Sequence, residues 1–292
     1  MVSVTTQNGY IIIEMEFLDL PTICSFRQKV LDHYHAFGRD LPWRTTNDPY
    51  HILVSEVMLQ QTQVERVIIR YPVFLAKFPD FSSLANTSLS DLLCLWQGMG
   101  YNRRALALHA LAQQVESQHY GKLPPDRDAL MALPGIGPYT AGAVMAFAFN
   151  QPVVFMDTNI RRVYIHEFFP DRKNIHDNEL VPLLHQTLDR CNPRQWYNAL
   201  MDYGSTLKSK LVNPNKRSAH YVRQSIFENS NRQLRGRILK MLLNEAPLTE
   251  TGIVKATGME RTRVKKNLDD LENEGFIKKR ARYYSVLGND RG

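Results

Sequence analysis

Leu133-Pro-Gly-Ile-Gly-Pro-Tyr139-Thr-Ala-Gly-Ala143, followed by Val154-Phe-Met-Asp157-Thr-Asn-Ile-Arg-Arg-Val163, decides how this chain is read. The first segment predicts a helix, a tight Gly-x-Gly turn and a second helix entered through Pro138, a residue tolerated at a first helical position. Gly135 and Gly137 allow close backbone approach, and the helix start behind them presents N–H groups suited to a phosphate. An ordinary αα turn closed by a helix-ending glycine has the same pattern. The second segment sets Asp157 at the head of a further helix. Alone it reads as an N-cap, where Asp is favoured. It becomes a candidate for chemistry only in company, and Asn159, Arg161 and Arg162 supply polar and cationic neighbours able to hold it ionised. An acid beside a gripped phosphate backbone points to chemistry on the sugar or base of a nucleotide.

Composition narrows the classes. The chain of 292 residues has length for two or three lobes around buried cores. No apolar run is long enough to span a membrane, and Met1 to Asp19 lacks the pattern of a secretory signal. Cys24, Cys94 and Cys191 lie far apart, which predicts a reducing compartment and neither a disulfide framework nor a Cys-built metal site. The net charge of +7 is uneven: residues 1–207 carry 17 Lys/Arg against 20 Asp/Glu, and residues 208–292 carry 19 against 9. A basic excess confined to the last third favours a polyanionic partner. Periodic apolar residues in that region argue against a simple solvated tail.

Helical spacing predicts helices over 26–37, 51–71 (with a break near Thr62), 88–96, 103–119, 126–132, 138–149, 160–168, 179–191 and 193–210. Alternation is scarce before residue 275, so the body is expected to be mainly α. Residues 213–232 form a basic connector. Beyond it, helices over 234–243, 248–258 and 260–274 and a hairpin over 276–287 predict a winged helix, a helix-turn-helix variant. Arg261, Arg263, Lys265 and Lys266 fall on or beside its recognition helix. The expected domains are therefore 1–212, the connector 213–232, and 233–292.

Three further clusters carry candidate chemistry. Glu56 lies in Ile52-Leu-Val-Ser-Glu-Val-Met-Leu59. If buried, its pKa would rise, as a general acid at neutral pH requires; the alternative is a polar face shared with Ser55 and Gln63. Gln60-Gln-Thr-Gln63 follows, with amides able to reach base edges or fill a vacated base position, or simply to face water. Gly98-Met-Gly-Tyr101-Asn-Arg-Arg104 sets an aromatic and two cations beside a turn. There Tyr101 would stack on a base and Arg103 contact phosphate, or Tyr101 would be a core residue.

Leu41-Pro-Trp-Arg44, Ser55-Glu-Val-Met-Leu-Gln-Gln-Thr-Gln-Val64, Gly98-Met-Gly-Tyr101, Leu133-Pro-Gly-Ile-Gly137 and Asp157-Thr-Asn-Ile-Arg-Arg-Val163 occur in the order found in A/G-specific adenine DNA glycosylases. Over residues 25–207 the chain resembles this MutY-like branch of the helix-hairpin-helix superfamily. The resemblance implies a two-lobed helical glycosylase fold. It also implies that Glu56 protonates the leaving adenine, Asp157 stabilises the sugar cation and Asn159 lies near it. Gln61, beside Gln60, enters the vacated position and Tyr101 wedges beside the opposing base. Tyr139 stands where bifunctional relatives carry a nucleophilic lysine, so no strand-cleaving lyase step is expected.

Two departures from the family pattern stand out. The usual four-cysteine iron–sulfur cluster has no ligands in Lys208-Ser-Lys-Leu-Val-Asn-Pro-Asn-Lys-Arg217, so no cofactor is expected, and Lys216 and Arg217 would contact DNA instead. The winged helix also takes the place of the domain that recognises 8-oxoguanine. The expected function is mismatch-directed adenine excision by a monomer acting on double-stranded DNA in the cytoplasm, with the nucleoid. Rival readings are a T:G or U:G mismatch glycosylase and a non-enzymatic DNA-binding regulator. Gly135, Gly137 and Arg161 complete the expected DNA contacts.

Overall fold

The computed structural model describes residues 2–7, 10–15, 17–210, 212–222, 227–245 and 247–288, with side chains from residue 17 to residue 209 and again from residue 212 onward within those ranges. A two-stranded hairpin, β1 (Val2–Gln7) and β2 (Tyr10–Met15), opens the chain. Helices follow as α1 (Leu20–Phe37), α2 (Pro49–Leu59), α3 (Val64–Lys77), α4 (Phe81–Ala85), α5 (Leu89–Trp96), α6 (Arg103–His119) and α7 (Arg127–Met131). Next come α8 (Pro138–Phe147), α9 (Thr158–Phe168), α10 (Asp177–Thr187) and α11 (Pro193–Lys210). The last part holds α12 (Asn231–Glu245), β3 (Leu248–Thr249), α13 (Glu250–Thr257), α14 (Arg261–Asn273), β4 (Ile277–Arg280) and β5 (Tyr283–Val286). None of the described helices is long and apolar enough to cross a membrane.

The chain divides into two compact units, residues 1–52, 125–128 and 137–223 in one, and 53–124, 129–136 and 224–292 in the other. In the first, α9 packs on α10 and α11, and α1 and α8 on α11. Phe26, Val30, Ala143, Val163, Tyr164 and Trp196 fill the core. Beside it, Asp202 of α11, almost wholly buried, binds both Arg44 nitrogens at 2.8 Å and Arg39 at 2.7 Å. The Leu41-Pro-Trp-Arg44 motif is thereby locked to α11.

In the second unit α4 and α5 pack on α6, with Phe74, Trp96, Leu108 and Leu111 buried. The same unit contains the winged helix. Its α12, α13 and α14 enclose Ile238, Ile253, Val264, Leu268 and Leu271, and its antiparallel sheet has the order β3-β5-β4. Thr249 caps α13 by accepting from the Gly252 N–H, and Gly258 ends that helix at φ +66°. Helix α12 also packs on α5.

Helix α1 begins six residues before the predicted 26–37, α3 runs to Lys77 and α4 lies outside the predicted helices; other points have local causes. The break expected near Thr62 within 51–71 falls at residues 60–63, where Gln61 is left-handed, and parts α2 from α3. Helix α10 stops at Thr187 because Asp189 accepts from the amides of Cys191 and Asn192, a turn that competes with helix. The β1–β2 hairpin was not anticipated, although alternation flanks Asn8-Gly9, a two-residue hairpin signal. Strand β3 is too short for periodicity to reveal.

Burial alone would push the Asp202 carboxyl up; the Arg44 and Arg39 bonds outweigh it and hold it below its ordinary 3.8. A depressed folded-state value contributes stability above the unfolded pKa, which is lost as pH falls through the folded one. Asp202→Asn is therefore expected to cost about 3 kcal/mol at pH 7, with a smaller gap from wild type at pH 3. Equal gaps at both pH values in urea unfolding would contradict the ion-pair account.

Candidate active site

Asp157 caps α9 in extended backbone (φ −120°, ψ −179°). Its Oδ1 accepts from the amides of Asn159 (2.8 Å) and Ile160 (2.6 Å), and its Oδ2 accepts from Asn159 Nδ2 (3.0 Å). Desolvation pushes its pKa up, while the two amides, the Asn159 side chain and the charge of Arg162 pull it down. Capping and carboxylate chemistry thus use the same oxygens: the helix head that ends at Asp157 supplies the donors that tolerate its charge.

Asn159 is in turn fixed. Its Oδ1 accepts from buried Arg162 Nη1 (2.8 Å), which also donates to the Gly204 carbonyl (2.6 Å), while Arg162 Nε donates to Asn213 Oδ1 (3.0 Å). Arg161 is not part of this set. It lies close enough to feel the Asp157 charge, but its hydrogen bonds go elsewhere, in a fork on Asp177 with both bonds at 2.6 Å. Tyr139, half-buried on α8, stands edge-on to Phe155, two residues before Asp157.

Gly204 is a residue the spacing did not single out. A Cβ there would lie 2.4 Å from the Asn159 carbonyl oxygen and 2.8 Å from its carbon, both backbone atoms that cannot swing aside. The signal was present as a lone glycine inside the helical pattern of α11, which usually marks a close approach.

The two hairpin glycines differ. Gly135 has φ +76°, and a Cβ would meet Ala107 of α6 at 2.7 Å, so this position serves packing. Gly137 is the N-cap of α8, has no side-chain cap, and a Cβ would meet nothing within 4 Å. The open approach belongs to Gly137.

Glu56 is 6% exposed and lies in a run of α2, residues 52–58, buried throughout. The polar-face alternative fails, because Ser55 is buried too. Immediately after, Arg104 ties two loops together. Its Nη1 donates to the carbonyls of Val57 (2.7 Å), Met58 (2.9 Å) and Gln60 (2.5 Å), and its Nη2 to Thr62 Oγ1 (3.0 Å), Met99 O (3.2 Å) and Gly100 O (3.0 Å). Desolvation pushes this guanidinium down to about 10, so it stays charged at neutral pH. The loops it joins carry exposed Gln61 (φ +53°) and half-buried Tyr101 (φ +45°).

Several expected DNA contacts make bonds within the chain. Arg103 pairs with Glu274 at 2.7 Å and Arg261 with Glu250 at 2.7 Å. Arg263 donates to Asn231 Oδ1 (2.9 Å) and the Asn229 carbonyl (2.5 Å). Arg217 caps α9 through the carbonyls of Ile165, Phe169 and Pro170. Lys216, Lys265 and Lys266 are exposed, and Gln60 is half-buried.

The segment after α11 does not fit an iron–sulfur cluster. It offers no thiolate, and its polar groups are engaged otherwise. Asn213 holds Arg162, Asn215 Nδ2 donates to the Thr158 carbonyl (2.8 Å), and Ile175 exchanges backbone bonds with Arg217 and Ala219. Cys24, Cys94 and Cys191 are exposed on separate elements.

Residues 54–182 match the family described as HhH-GPD superfamily base excision DNA repair protein, and residues 232–278 match winged helix-turn-helix DNA-binding. A thermostable thymine-DNA glycosylase of known structure is 30% identical, with a TM-score of 0.58, over 63% of this chain and 87% of its own. The chain belongs to the HhH-GPD superfamily of base excision DNA repair proteins. An adenine DNA glycosylase of Buchnera aphidicola subsp. Baizongia pistaciae is 37% identical over 64% of this chain and 54% of its own length. That of Mycobacterium tuberculosis is 44% identical over 46% and 44%. The chain spans about half the length of these curated relatives.

The packing makes a paired forecast. Gly204→Ala is expected to destabilise by about 1–3 kcal/mol, although alanine is the better helix former by about 1 kcal/mol. Asp157→Asn keeps a favoured cap and removes a carboxylate whose pKa is raised. A raised folded value means that the group's contribution is present at low pH and lost as pH rises. This variant should therefore match or exceed the wild-type Tm at pH 7. Calorimetry that ranks the two variants the other way round would refute the packing argument.

Proposed function

We propose that this protein is a monofunctional DNA glycosylase that removes adenine mispaired with guanine or 8-oxoguanine. The observation that carries this reading is the pair of differently housed acids: Glu56 in an apolar helix run, and Asp157 on a helix head that donates to its oxygens. Breaking an N-glycosidic bond leaves an electron-deficient sugar, so one acid must deliver a proton and another must remain anionic. In this proposal Glu56 protonates the departing base and then assists water, while Asp157, oriented by Asn159, stabilises the cation. The target base is out of reach inside a duplex and must be extruded first.

Gln60 and Gln61 would fill the gap in the stack and Tyr101 would wedge beside the opposing base. The open Gly137 turn and Lys216, Lys265 and Lys266 would meet the phosphates. Tyr139 has no amine for a Schiff base, so no lyase step follows. Neither a metal nor a cluster is required by this set of residues. The protein would act as a monomer on chromosomal DNA in the cytoplasm. The adenine choice draws on the names of the curated relatives, 37% and 44% identical. The thymine-DNA glycosylase, 30% identical, makes excision from T:G or U:G the second reading.

The test is a panel of duplexes carrying A:8-oxoguanine, A:G, T:G and U:G, each treated with alkali after incubation. Adenine loss is expected, with no strand break before alkali. Glu56→Gln and Asp157→Asn should each lower the rate by at least about 100-fold, the scale of general acid catalysis, while still binding mismatch DNA. Because the Asp157 pKa is raised, activity should decline on the acid side at a higher pH than an ordinary aspartate would give. Thymine release with adenine untouched would favour the second reading.

A further inference from the structure

Tyr101 is held by the winged helix as well as by its own lobe. Arg232, the second residue of α12, donates from Nη1 to the Tyr101 hydroxyl at 2.7 Å, and its guanidinium carbon lies 5.8 Å from the ring centre. Arg104 lies 5.6 Å from the same ring. Two cations near one aromatic ring fix its orientation through the quadrupole as well as the hydroxyl.

A second clamp sets α12 in place. Glu274, the C-cap of the recognition helix α14, accepts from Arg103 at the first position of α6 (2.7 and 2.8 Å) and from Arg235 of α12 (2.5 Å). Arg232 and Arg235 are three apart and so share a helix face. That face meets the chain at the turn where Gly98, Gly100 and Tyr101 all have positive φ. Packing of α12 on α5 adds an apolar contact to the same junction. Such a turn supplies little side-chain support of its own. The orientation of Tyr101 therefore depends on what grips the ring from outside.

We infer that Arg232 is a positioning residue for Tyr101, and that the winged helix thereby takes part in how the mismatch is read. This rests on the proposed role of Tyr101 as the wedge. The module would contribute rigidity to the reading side chain in addition to any phosphate contacts of its own. A hydrogen bond between a guanidinium and a hydroxyl, lost from a partly buried site, weakens an ordered arrangement by about tenfold.

The experiment uses the full chain and single-turnover excision at saturating protein, on A:G and A:8-oxoguanine duplexes. Arg232→Ala is expected to lower the saturating rate about tenfold with little change in half-saturating concentration, and Arg232→Lys to recover most of it. Tyr101→Phe, which keeps the ring and removes the acceptor, should reproduce the loss. Combining it with Arg232→Ala should add no more than about twofold, since the two changes break one interaction. A 2-aminopurine at the target position reports extrusion by fluorescence with the Glu56→Gln protein, and the same ranking is expected there.

Fully multiplicative effects would overturn the inference. So would a lower affinity and a salt dependence shallower by about one ion with an unchanged saturating rate, which would make Arg232 a phosphate contact. A faster rate in Arg232→Ala would mean that the module masks the ring, and would overturn it as well. If Arg232→Ala lowers the Tm sharply, Tyr101→Phe and Arg232→Lys decide the matter. A wild-type protein that releases no base from any duplex refutes the proposed function. An active wild type with a multiplicative cycle refutes only the coupling.

Discussion

The hydrogen bonds that hold the Asp157 carboxylate govern the arrangement of the first unit. A carboxylate taken from water needs donors, and the head of α9 provides them only if that helix starts at Thr158 and points its amides at Asp157. The start is fixed from behind by α11, whose Gly204 lets the two backbones touch, and by Arg162, which spans Asn159, Gly204 and Asn213. The N-cap of α9 and the housing of the Asp157 carboxylate are therefore one feature. The cap makes an anion tolerable where burial opposes it, and burial still leaves the Asp157 pKa above its ordinary value.

The second unit solves a different problem. Its loops 60–63 and 98–101 have positive-φ residues and little secondary structure, which ordinarily means mobility. Arg104 compensates from below with seven acceptors, none of them a carboxylate. Backbone carbonyls, the Thr62 hydroxyl and the faces of Trp96 and Tyr101 hold the charge, so the guanidinium enforces loop geometry without a carboxylate partner. Arg103, one residue earlier and about 100° around the helix, points to the winged helix and is used by Glu274.

Much of the helical scaffold was legible in the spacing. Helices α6 and α11 begin and end where periodicity places them, and the caps of α13 are a threonine and a glycine in the expected places. Glu56 stood out as an acid in a largely apolar run, but the spacing left open a polar face shared with Ser55 and Gln63, which its burial rules out. What could not be read were partners distant in sequence. Arg161 and Arg162 look interchangeable in the string, yet one meets Asp177 and the other the Asp157 network. Arg217 reads as a DNA-facing cation but ends α9. For Arg161 and Arg217 a carboxylate or carbonyl 16 and 52 residues away decides the role, and no local pattern encodes it.

The connector after α11 is joined to the rest of the first unit by hydrogen bonds of its own. The joining is done by Asn213 on Arg162, Asn215 on the α9 head, Arg217 on the α9 tail, and the backbone exchange at Ile175. Both ends of α9 are thus gripped by one short segment of about seven residues, and one of those grips leads through Arg162 and Asn159 to the Asp157 carboxylate. Hydrogen bonds are individually weak but directional. They therefore hold the angle of α9, on which the placement of Asp157 depends. That makes the connector part of the candidate active site.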